Sequence, residues 1–432
     1  MIARQRLRAG FAAGVSLVLL NGLAAAELST PRSTHGAAAA QSELRLDGEY
    51  GLWVRENGNQ IAVSWLAREP GPGYLRVLTG NRVREEIATP SANVHTARFR
   101  RPRGAEVVLQ YGAKDDPRDA HQTTLYLGAE DRRARPVVTG VDSIFVVADT
   151  HGEYDNLVRL LQNAGVIDSQ QRWSAGRSHL VLLGDVFDRG PDVTRILWFL
   201  YALERQAERQ RGRVHLLLGN HEIMVMQGDL RYVSPKENLI AELHQVDYSR
   251  MFDVRQSILG RWLATKPALL KIDNVLFAHG GVSPEYLPFT VPTLDDTLSG
   301  YMKEDLFYHW ADSTFWTNPS NLAGHDSASV ARREDFFWGE NSVFWYRGYV
   351  QQDTLGAALQ AVLRRFGSEM LVVGHTPTQT IHQRYGGALI AAHPRTAATE
   401  MLLLVRAGRE YRKYRYGLTG PPEPLPAAAS VP

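Results

Sequence analysis

The feature that most constrains this chain is a series of apolar, strand-like runs that each end in polar residues able to bind a metal ion. The series begins at about residue 140 and alternates with amphipathic, helix-like stretches. The five runs are SIFVVAD, HLVLLGD, VHLLLGN, NVLFAHGG and MLVVGH. Repetition of buried strand, polar loop and amphipathic helix is typical of an α/β fold, in which ligands bind at the carboxyl ends of the strands.

The polar residues at these strand ends form one chemical set. They are Asp149, His151, Asp185, Asn220, His279 and His375. A single Asp or His after a strand is more often a cap or turn residue, but turn chemistry does not explain five successive endings on one predicted sheet edge. Carboxylate, imidazole and amide donors without any thiolate suit Mn, Fe or Zn, and the chain contains no cysteine.

Counting these donors suggests two metal ions. In the predicted arrangement Asp185 bridges the two ions, Asp149 and His151 complete the first set, and Asn220, His279 and His375 complete the second. Two ions roughly 3.5–4 Å apart can hold a hydroxide and clamp both the attacking and the leaving oxygen of a displacement at phosphorus. A phosphate ester is therefore the expected substrate class.

The motifs resemble those of the calcineurin-like metallophosphoesterases, and more closely the phosphoprotein phosphatase branch. The family's blocks GDxHG, GDxxDRG, GNHE, HGG and GH appear here as ADTHG, GDVFDRGP, GNHE, AHGGV and VGHTP, over about residues 142 to 380. VFDRGPD, WYRGY and GHTPT make the bacterial Shewanella-like protein phosphatases the nearest group. The resemblance implies a four-layer α/β/β/α sandwich and two divalent metal ions, with manganese expected in vitro and Fe or Zn also compatible.

The resemblance also implies catalytic roles. His221 matches the family's general acid, Asp188 matches the residue that orients it, and Arg189 and Arg347 match the two arginines that clamp the phosphate. A guanidinium fork can bind two phosphate oxygens at once. The implied reaction is hydrolysis by direct attack of a hydroxide that bridges the two metals.

The chain departs from the family's pattern at two places. Ala148 stands where the family usually has glycine. The stretch after His375, IHQRYGGALIAAHPRT, does not have the ending of the close relatives. The sequence therefore assigns no role to His393.

Residues about 43 to 132 have a different texture, with short alternating runs separated by turn signals such as ENGN, REPGPG, RPRG and KDDP. Six runs (YGLWVRE, QIAVSWLA, YLRVLTG, HTARFRR, EVVLQYGA and TTLYLG) predict six short strands and a small all-β sandwich. This segment has no acid or histidine cluster, so we expect it to serve as a scaffold or to bind a ligand.

The remaining segments complete the expected organisation. The arginine-rich start and the apolar FAAGVSLVLLNGLAAA predict a signal peptide at residues 1–26, followed by a linker at 27–42. The catalytic domain is expected at 138–412 with a cap insertion at about 285–345, and a disordered tail at 413–432. The mature chain is thus expected to be periplasmic or secreted and not inserted in a membrane.

The cap is rich in aromatic residues that could contact a substrate or simply pack together. They are His309, Trp310, Trp316, His325, Trp338 and Trp345. The sequence does not decide between these two interpretations.

The leading hypothesis is a secreted dimetal phosphomonoesterase, acting on a phosphorylated protein, peptide or small phosphoester. One alternative is a hydrolase of nucleotides or dinucleoside polyphosphates. Another is a surface-binding or partner-binding protein with a vestigial phosphatase unit. A formal net charge of +2 gives no case for nucleic acid as a partner.

Overall fold

The computed structural model describes Leu46, Gly48 and residues 50–103, 106–128, 132–133 and 135–427. The predicted signal peptide and linker lie outside these residues. Along the part of the chain that is described, no helix is both long and apolar enough to span a bilayer.

The N-terminal part is one antiparallel sheet of five strands. They are β1 (Trp53–Asn57), β2 (Gln60–Thr79), β3 (Arg82–Arg100), β4 (Glu106–Ala113) and β5 (Ala120–Tyr126). The first half of β2 pairs with β1 and its second half with β4, while β3 follows it along both halves. Register shifts between Leu66 and Gly73 mark the point where β2 changes partner, and such bulges bend a strand.

The prediction of six short strands was wrong in count, although the all-β character is confirmed. REPGPG, read as a turn, lies inside β2, because the register shifts accommodate its prolines and glycines without ending the strand. The first half of β3, RVREEIATPS, was not recognised because it is mostly exposed and contains several charged residues. A strand that faces solvent on both sides lacks the alternation on which the prediction depends.

Two six-stranded sheets form the centre of the catalytic unit. One has the order β17-β16-β15-β7-β8-β9 and the other β13-β14-β12-β11-β10-β6. Their strands are β6 (Val137–Val138), β7 (Ser143–Val147), β8 (His179–Leu182), β9 (Arg213–Leu216), β10 (Leu269–Ile272), β11 (Val275–Ala278), β12 (Met370–Val373), β13 (His382–Arg384), β14 (Leu389–Ala391), β15 (Glu400–Ala407), β16 (Glu410–Gly417) and β17 (Glu423–Pro424). β7, β8 and β9 run parallel, as do β11, β12 and β14.

Alternate residues of these strands enter two different cores. Val146, Val181, Phe277 and Val372 belong to a cluster between the two sheets. The residues that alternate with them, such as Leu182 and Leu371, belong to a second cluster that includes the helices. Because successive side chains of a strand point to opposite faces, this division gives the predicted four-layer α/β/β/α arrangement.

Helices follow the strands as the periodicity predicts. The helices are α1 (Tyr154–Asn163), α2 (Val193–Arg209), α3 (Asn220–Met226), α4 (Pro235–Leu243), α5 (Ile258–Ala264), α6 (Val291–Tyr301), α7 (Asp305–Tyr308), α8 (Ser313–Thr317), α9 (Ser327–Trp338), α10 (Gly348–Gln351) and α11 (Gly356–Phe366). In α2, buried positions such as Ile196, Leu200 and Leu203 recur at helical spacing, so one face packs on the sheet. α11 ends at Phe366 and is followed by Gly367, which has the left-handed conformation common after a helix.

The N-terminal sheet packs directly on this helical layer. Trp198 Nε1 of α2 donates to the carbonyl of Leu52 at 3.0 Å, and the amide of Tyr126 donates to the hydroxyl of Tyr201 at 2.9 Å. The apolar side chains of the sheet and those of α2 and α5 form one continuous cluster. The sheet is therefore joined to the catalytic unit by a shared core.

The predicted boundaries need two corrections. β16 runs to Gly417 and β17 pairs with it at Glu423 and Pro424, so residues 413–417 and 423–424 of the predicted disordered tail lie in strands. Residues 428–432 of that tail lie outside the described part of the chain. The catalytic unit accordingly extends beyond residue 412. The predicted cap is helical and contains α6 to α9.

Candidate metal centre

All six predicted metal ligands meet at the carboxyl ends of the strands. They follow β7, β8, β9, β11 and β12, and each is at most 5% exposed: Asp149, His151, Asp185, Asn220, His279 and His375. Five separate strand ends place them, so the parallel topology brings together side chains that are up to 226 positions apart in sequence. The sequence prediction of one shared site is consistent with this geometry.

The second predicted donor set is tightly packed. His279 Nε2 lies 2.9 Å from Asn220 Oδ1, 3.2 Å from His375 Nδ1 and 3.3 Å from Asp185 Oδ2. The opposite ring nitrogen of His279 lies 2.8 Å from the carbonyl of Leu183, to which it donates. That hydrogen bond holds the ring with Nε2 facing the other donors.

The first predicted donor set is wider. His151 Nε2 lies 3.9 Å from Asp149 Oδ2 and 3.8 Å from Asp185 Oδ2. His151 Nδ1 donates to the carbonyl of Phe187 at 2.9 Å, so the tautomer of this ring is fixed. Because Asp185 is close to both sets, it is placed to bridge two ions.

The donors fit divalent cations. His151 Nε2 is buried and has no hydrogen-bond partner among the described residues. Burial lowers the pKa of His151 to about 4, and burial together with the neighbouring His279 lowers that of His375 to about 3. Both rings are neutral at pH 7, so their lone pairs are available to a metal ion.

Asp149 and Asp185 remain ionised in spite of their burial, because neighbouring imidazoles lower the pKa of both. Burial would raise the pKa of Asp185, but the surrounding His279 and His221 hold it well below its ordinary value. Asp185 in turn raises the pKa of His279 to about 9, against the effect of burial. A site that holds a carboxylate charged in this way has a strong affinity for positive charge.

His221 also lies close to the first set, because its Nε2 is 3.9 Å from Asp185 Oδ2. The ligand atoms of His151, Asp185 and His221 all fall within 4.8 Å of one another. However, Arg189 Nη2 lies 3.3 Å from His221 Nε2, and a guanidinium beside that nitrogen opposes binding of a cation there. The nearby guanidinium sets His221 apart from the six predicted ligands.

The arrangement around His221 suits a general acid. Its Nδ1 donates to Asp188 Oδ2 at 2.6 Å. Although burial lowers the pKa of His221, Asp185 and the bond to Asp188 raise it above its ordinary value. The predicted pairing of His221 with Asp188 is therefore present, and it favours the protonated ring that a general acid needs.

Both predicted arginines lie beside the donors. Arg189 lines a cavity of about 230 Å³ together with His151. Arg347 Nη1 donates to the carbonyl of His375 at 3.1 Å and is half-buried. One arginine thus flanks each donor set, as expected for a phosphate clamp.

Strained backbone accompanies these side chains. His151, Asp185, Asp188, Arg189 and His375 all have positive φ, between 44° and 69°. Residues other than glycine seldom adopt this conformation, and where they do the surrounding structure must hold it. Five such residues in one site indicate that the loops are shaped for the positions of their side chains.

Sequence reasoning missed three contributors. Glu222 is fully buried and accepts from the amides of Gly219, Asp185 and Val186 at 2.6, 2.8 and 2.7 Å. It positions the loop that carries Asp185, and its place in the GNHE block was the available signal. His393 and Arg395 line the cavity beside Arg189, but they lie in the stretch where the sequence departs from the family.

Most of the aromatic cap residues pack together. Trp310 and Trp316 belong to one small apolar cluster, and His309 stacks on Phe315 at 4.9 Å. Trp345 differs, because its ring meets His375 edge-on at 5.8 Å and stacks on Trp338. Of the six candidates, Trp345 is the one with a ring contact to a predicted ligand within the described residues.

Comparison with known proteins decides the family. The family model described as "Calcineurin-like phosphoesterase" matches residues 143–379. The chain belongs to this family. Membership and the donor set together make it a metal-dependent phosphatase, and the fold and resemblance inferred from the sequence are confirmed.

Individual relatives agree with this assignment. An uncharacterized protein of Schizosaccharomyces pombe is 30% identical over 54% of this chain and 67% of its own length. Shewanella-like protein phosphatase 2 of Arabidopsis thaliana is 26% identical over 54% of this chain and 66% of its own length. The chain thus spans about two thirds of these curated relatives.

Among solved structures, the cold-active protein-tyrosine phosphatase of a psychrophilic Shewanella species is similar over nearly the whole chain. It has a TM-score of 0.63 at 26% identity, over 87% of this chain and 99% of that one. The likeness to this structure therefore extends well beyond residues 143–379, which the family model matches.

Proposed function

We propose that this calcineurin-like phosphoesterase is a protein phosphatase with a dinuclear metal centre. The observation that carries the proposal is the pair of buried donor sets that share Asp185. Asp149 and His151 would hold one ion, and Asn220, His279 and His375 the other. Mn, Fe and Zn suit these donors.

The protein's own residues would bind the phosphate and transfer the proton. Two divalent ions, when bound, supply an activated hydroxide and polarise the phosphoryl oxygens, so a phosphoenzyme is not required. Arg189 and Arg347 would hold the phosphoryl oxygens and neutralise charge that develops there. His221, oriented by Asp188, would donate a proton to the leaving oxygen.

Relatives support a phosphoprotein as the substrate. The Arabidopsis relative is named a protein phosphatase and the Shewanella structure a protein-tyrosine phosphatase. The cavity beside His151 and Arg189 opens to solvent, which a residue on a peptide chain requires. A relative named a symmetrical bis(5'-nucleosyl)-tetraphosphatase matches 44% of this chain, less than the 54% matched by the Arabidopsis relative, so the nucleotide alternative is not favoured. The complete donor set opposes a vestigial phosphatase unit.

The test is phosphate release by protein that has been stripped of metal and then reconstituted with manganese. A phosphotyrosine peptide, a phosphoserine peptide and diadenosine tetraphosphate are compared at equal concentration. We expect activity to return with metal and to favour one peptide. Preference for the dinucleotide, or silence on all three substrates with metal bound, would overturn the proposal.

We also propose that the protein is exported. The arginine-rich start, the apolar stretch and the Ala24–Ala26 cleavage pattern support export. Expression of the full chain followed by cell fractionation and N-terminal sequencing tests it. Protein outside the cytoplasm that begins near Glu27 is expected, whereas uncut cytoplasmic protein would refute the proposal.

A further inference from the structure

His393 is a buried imidazole beside the metal donors that the proposed mechanism does not use. It follows β14 and is 3% exposed. Its carbonyl accepts from both the amide and the hydroxyl of Thr378, each at 3.0 Å. The backbone is therefore held in place, and the ring has a defined position.

The ring faces the free oxygen of Asp149. Asp149 Oδ1 accepts from the amide of His375 at 2.9 Å. Its Oδ2 lies 3.0 Å from His393 Nδ1 and 3.9 Å from His151 Nε2. Oδ2 thus lies near one nitrogen of each ring, and the two ring centroids are 6.4 Å apart.

The contact between His393 and Asp149 is short, but it does not have the geometry of a regular hydrogen bond. Nδ1 has no hydrogen-bond partner of regular geometry among the described residues, although it lies only 3.0 Å from Oδ2. An ion bound to Nδ1 would therefore lie beside Oδ2.

The distances between donor atoms in the second set can be compared with the distance between His393 and Asp149. Two atoms about 2.1 Å from one ion, at angles between 90° and tetrahedral, are roughly 3.0 to 3.4 Å apart. His279 Nε2 has separations of 3.2 Å to His375 and 3.3 Å to Asp185. The separation of 3.0 Å between His393 and Asp149 falls in the same range.

We propose that His393 is a further ligand of the first metal site, bound through Nδ1. The first site would then contain Asp149, His151, Asp185 and His393. This proposal rests on the proposed dinuclear centre. A second imidazole would shift the preference of the first site toward Mn, Fe or Zn and away from Mg, which favours oxygen ligands.

The first measurement is calorimetric titration of the metal-free full chain with Mn²⁺, for the unmodified protein, His393→Ala and the control His382→Ala. His382 is a half-buried histidine of β13 whose Nδ1 pairs with the carbonyl of Thr380. We expect two sites in the unmodified protein, a loss of at least about tenfold at one of them in His393→Ala, and no change in His382→Ala.

The outcomes separate the two proposals. Absence of two manganese sites in the unmodified protein would overturn the dinuclear centre itself. Two sites with unchanged affinity in His393→Ala would overturn only the role of His393. Near-ultraviolet circular dichroism of the metal-free variants establishes folding, and His393→Gln replaces His393→Ala if the latter is unfolded.

A crystal structure of the manganese-loaded protein distinguishes a ligand from a positioning residue. A His393 Nδ1 within about 2.3 Å of the first ion is expected, near the ordinary metal–imidazole distance. An Nδ1 that instead donates a hydrogen bond to Asp149, outside bonding distance of the ion, would refute ligation even if affinity falls in the alanine variant.

Discussion

Asp185 and Glu237 are both buried carboxylates, but their environments differ. Asp185 lies among imidazoles, and against the effect of burial they hold its pKa well below the ordinary value. Glu237 of α4 accepts from the amide and hydroxyl of Thr194 at 2.9 and 2.6 Å, and burial raises its pKa to about 7. The surrounding imidazoles, rather than the degree of burial, determine which carboxylate is ionised and able to bind a metal ion.

The largest loss of activity is expected for substitution of Asp185, because both donor sets share its charge. Asp185→Asn removes the negative charge common to both donor sets, so phosphatase activity should fall by orders of magnitude and the bound manganese should decrease. Asp155→Asn, at a side chain that is 87% exposed on α1, is the matched control. Activity assays with metal analysis check this, and normal metal content with normal turnover would contradict the role of Asp185.

His221→Ala should reduce kcat by about 10²- to 10⁴-fold, because the leaving oxygen loses its proton donor. Metal content should not change, since Arg189 keeps a cation away from His221 Nε2. A substrate with an acidic leaving group, such as nitrophenyl phosphate, should lose less activity than a serine phosphoester. Loss of one metal ion in this variant would instead identify His221 as a ligand.

Arg189→Ala should lower kcat/KM by about ten- to a hundredfold, as expected for the loss of charge-assisted hydrogen bonds to phosphate. Arg189→Lys keeps the positive charge but not the fork, and should fall between the alanine variant and the unmodified protein. Steady-state kinetics on one phosphopeptide measures both. Equal activity in all three proteins would remove Arg189 from the clamp.

Glu237→Gln tests how the raised pKa of Glu237, the second buried carboxylate, affects the stability of the folded protein. Because the pKa of Glu237 is raised in the folded protein, its contribution to stability is complete below pH 4.5 and is lost as the pH rises through about 7. The glutamine variant should therefore gain stability relative to the unmodified protein between pH 5 and 8, by about 3 kcal/mol at most.

Thermal unfolding across this pH range measures the effect. Glu242→Gln, at an exposed position on the same helix, is the control and should have the pH dependence of the unmodified protein. A constant difference between Glu237→Gln and the unmodified protein at every pH would show that Glu237 does not titrate in this range.

The sequence was most informative where polar residues interrupt apolar strands. Asp149, Asp185 and His279 could be predicted because each follows a buried run and because parallel strands end at a common edge. His393 follows a buried strand as well, but it lies outside the recognised motifs. Only the distance from its Nδ1 to Asp149 identifies it.

The N-terminal sheet was less predictable for a physical reason. Its strands are long, bent and partly exposed, so their apolar pattern changes face along a single strand. A change of partner within β2 depends on contacts with β1 and β4 that are remote in sequence. Local alternation cannot report such contacts.

The shared core between this sheet and α2 also has a consequence for how the protein loses its structure. The N-terminal sheet region and α2 pack against each other through Leu52, Tyr126, Trp198 and Tyr201. Neither part can separate without exposing aromatic surface to water. We therefore expect the N-terminal strands and the metal centre to unfold together on heating, rather than in two separate transitions.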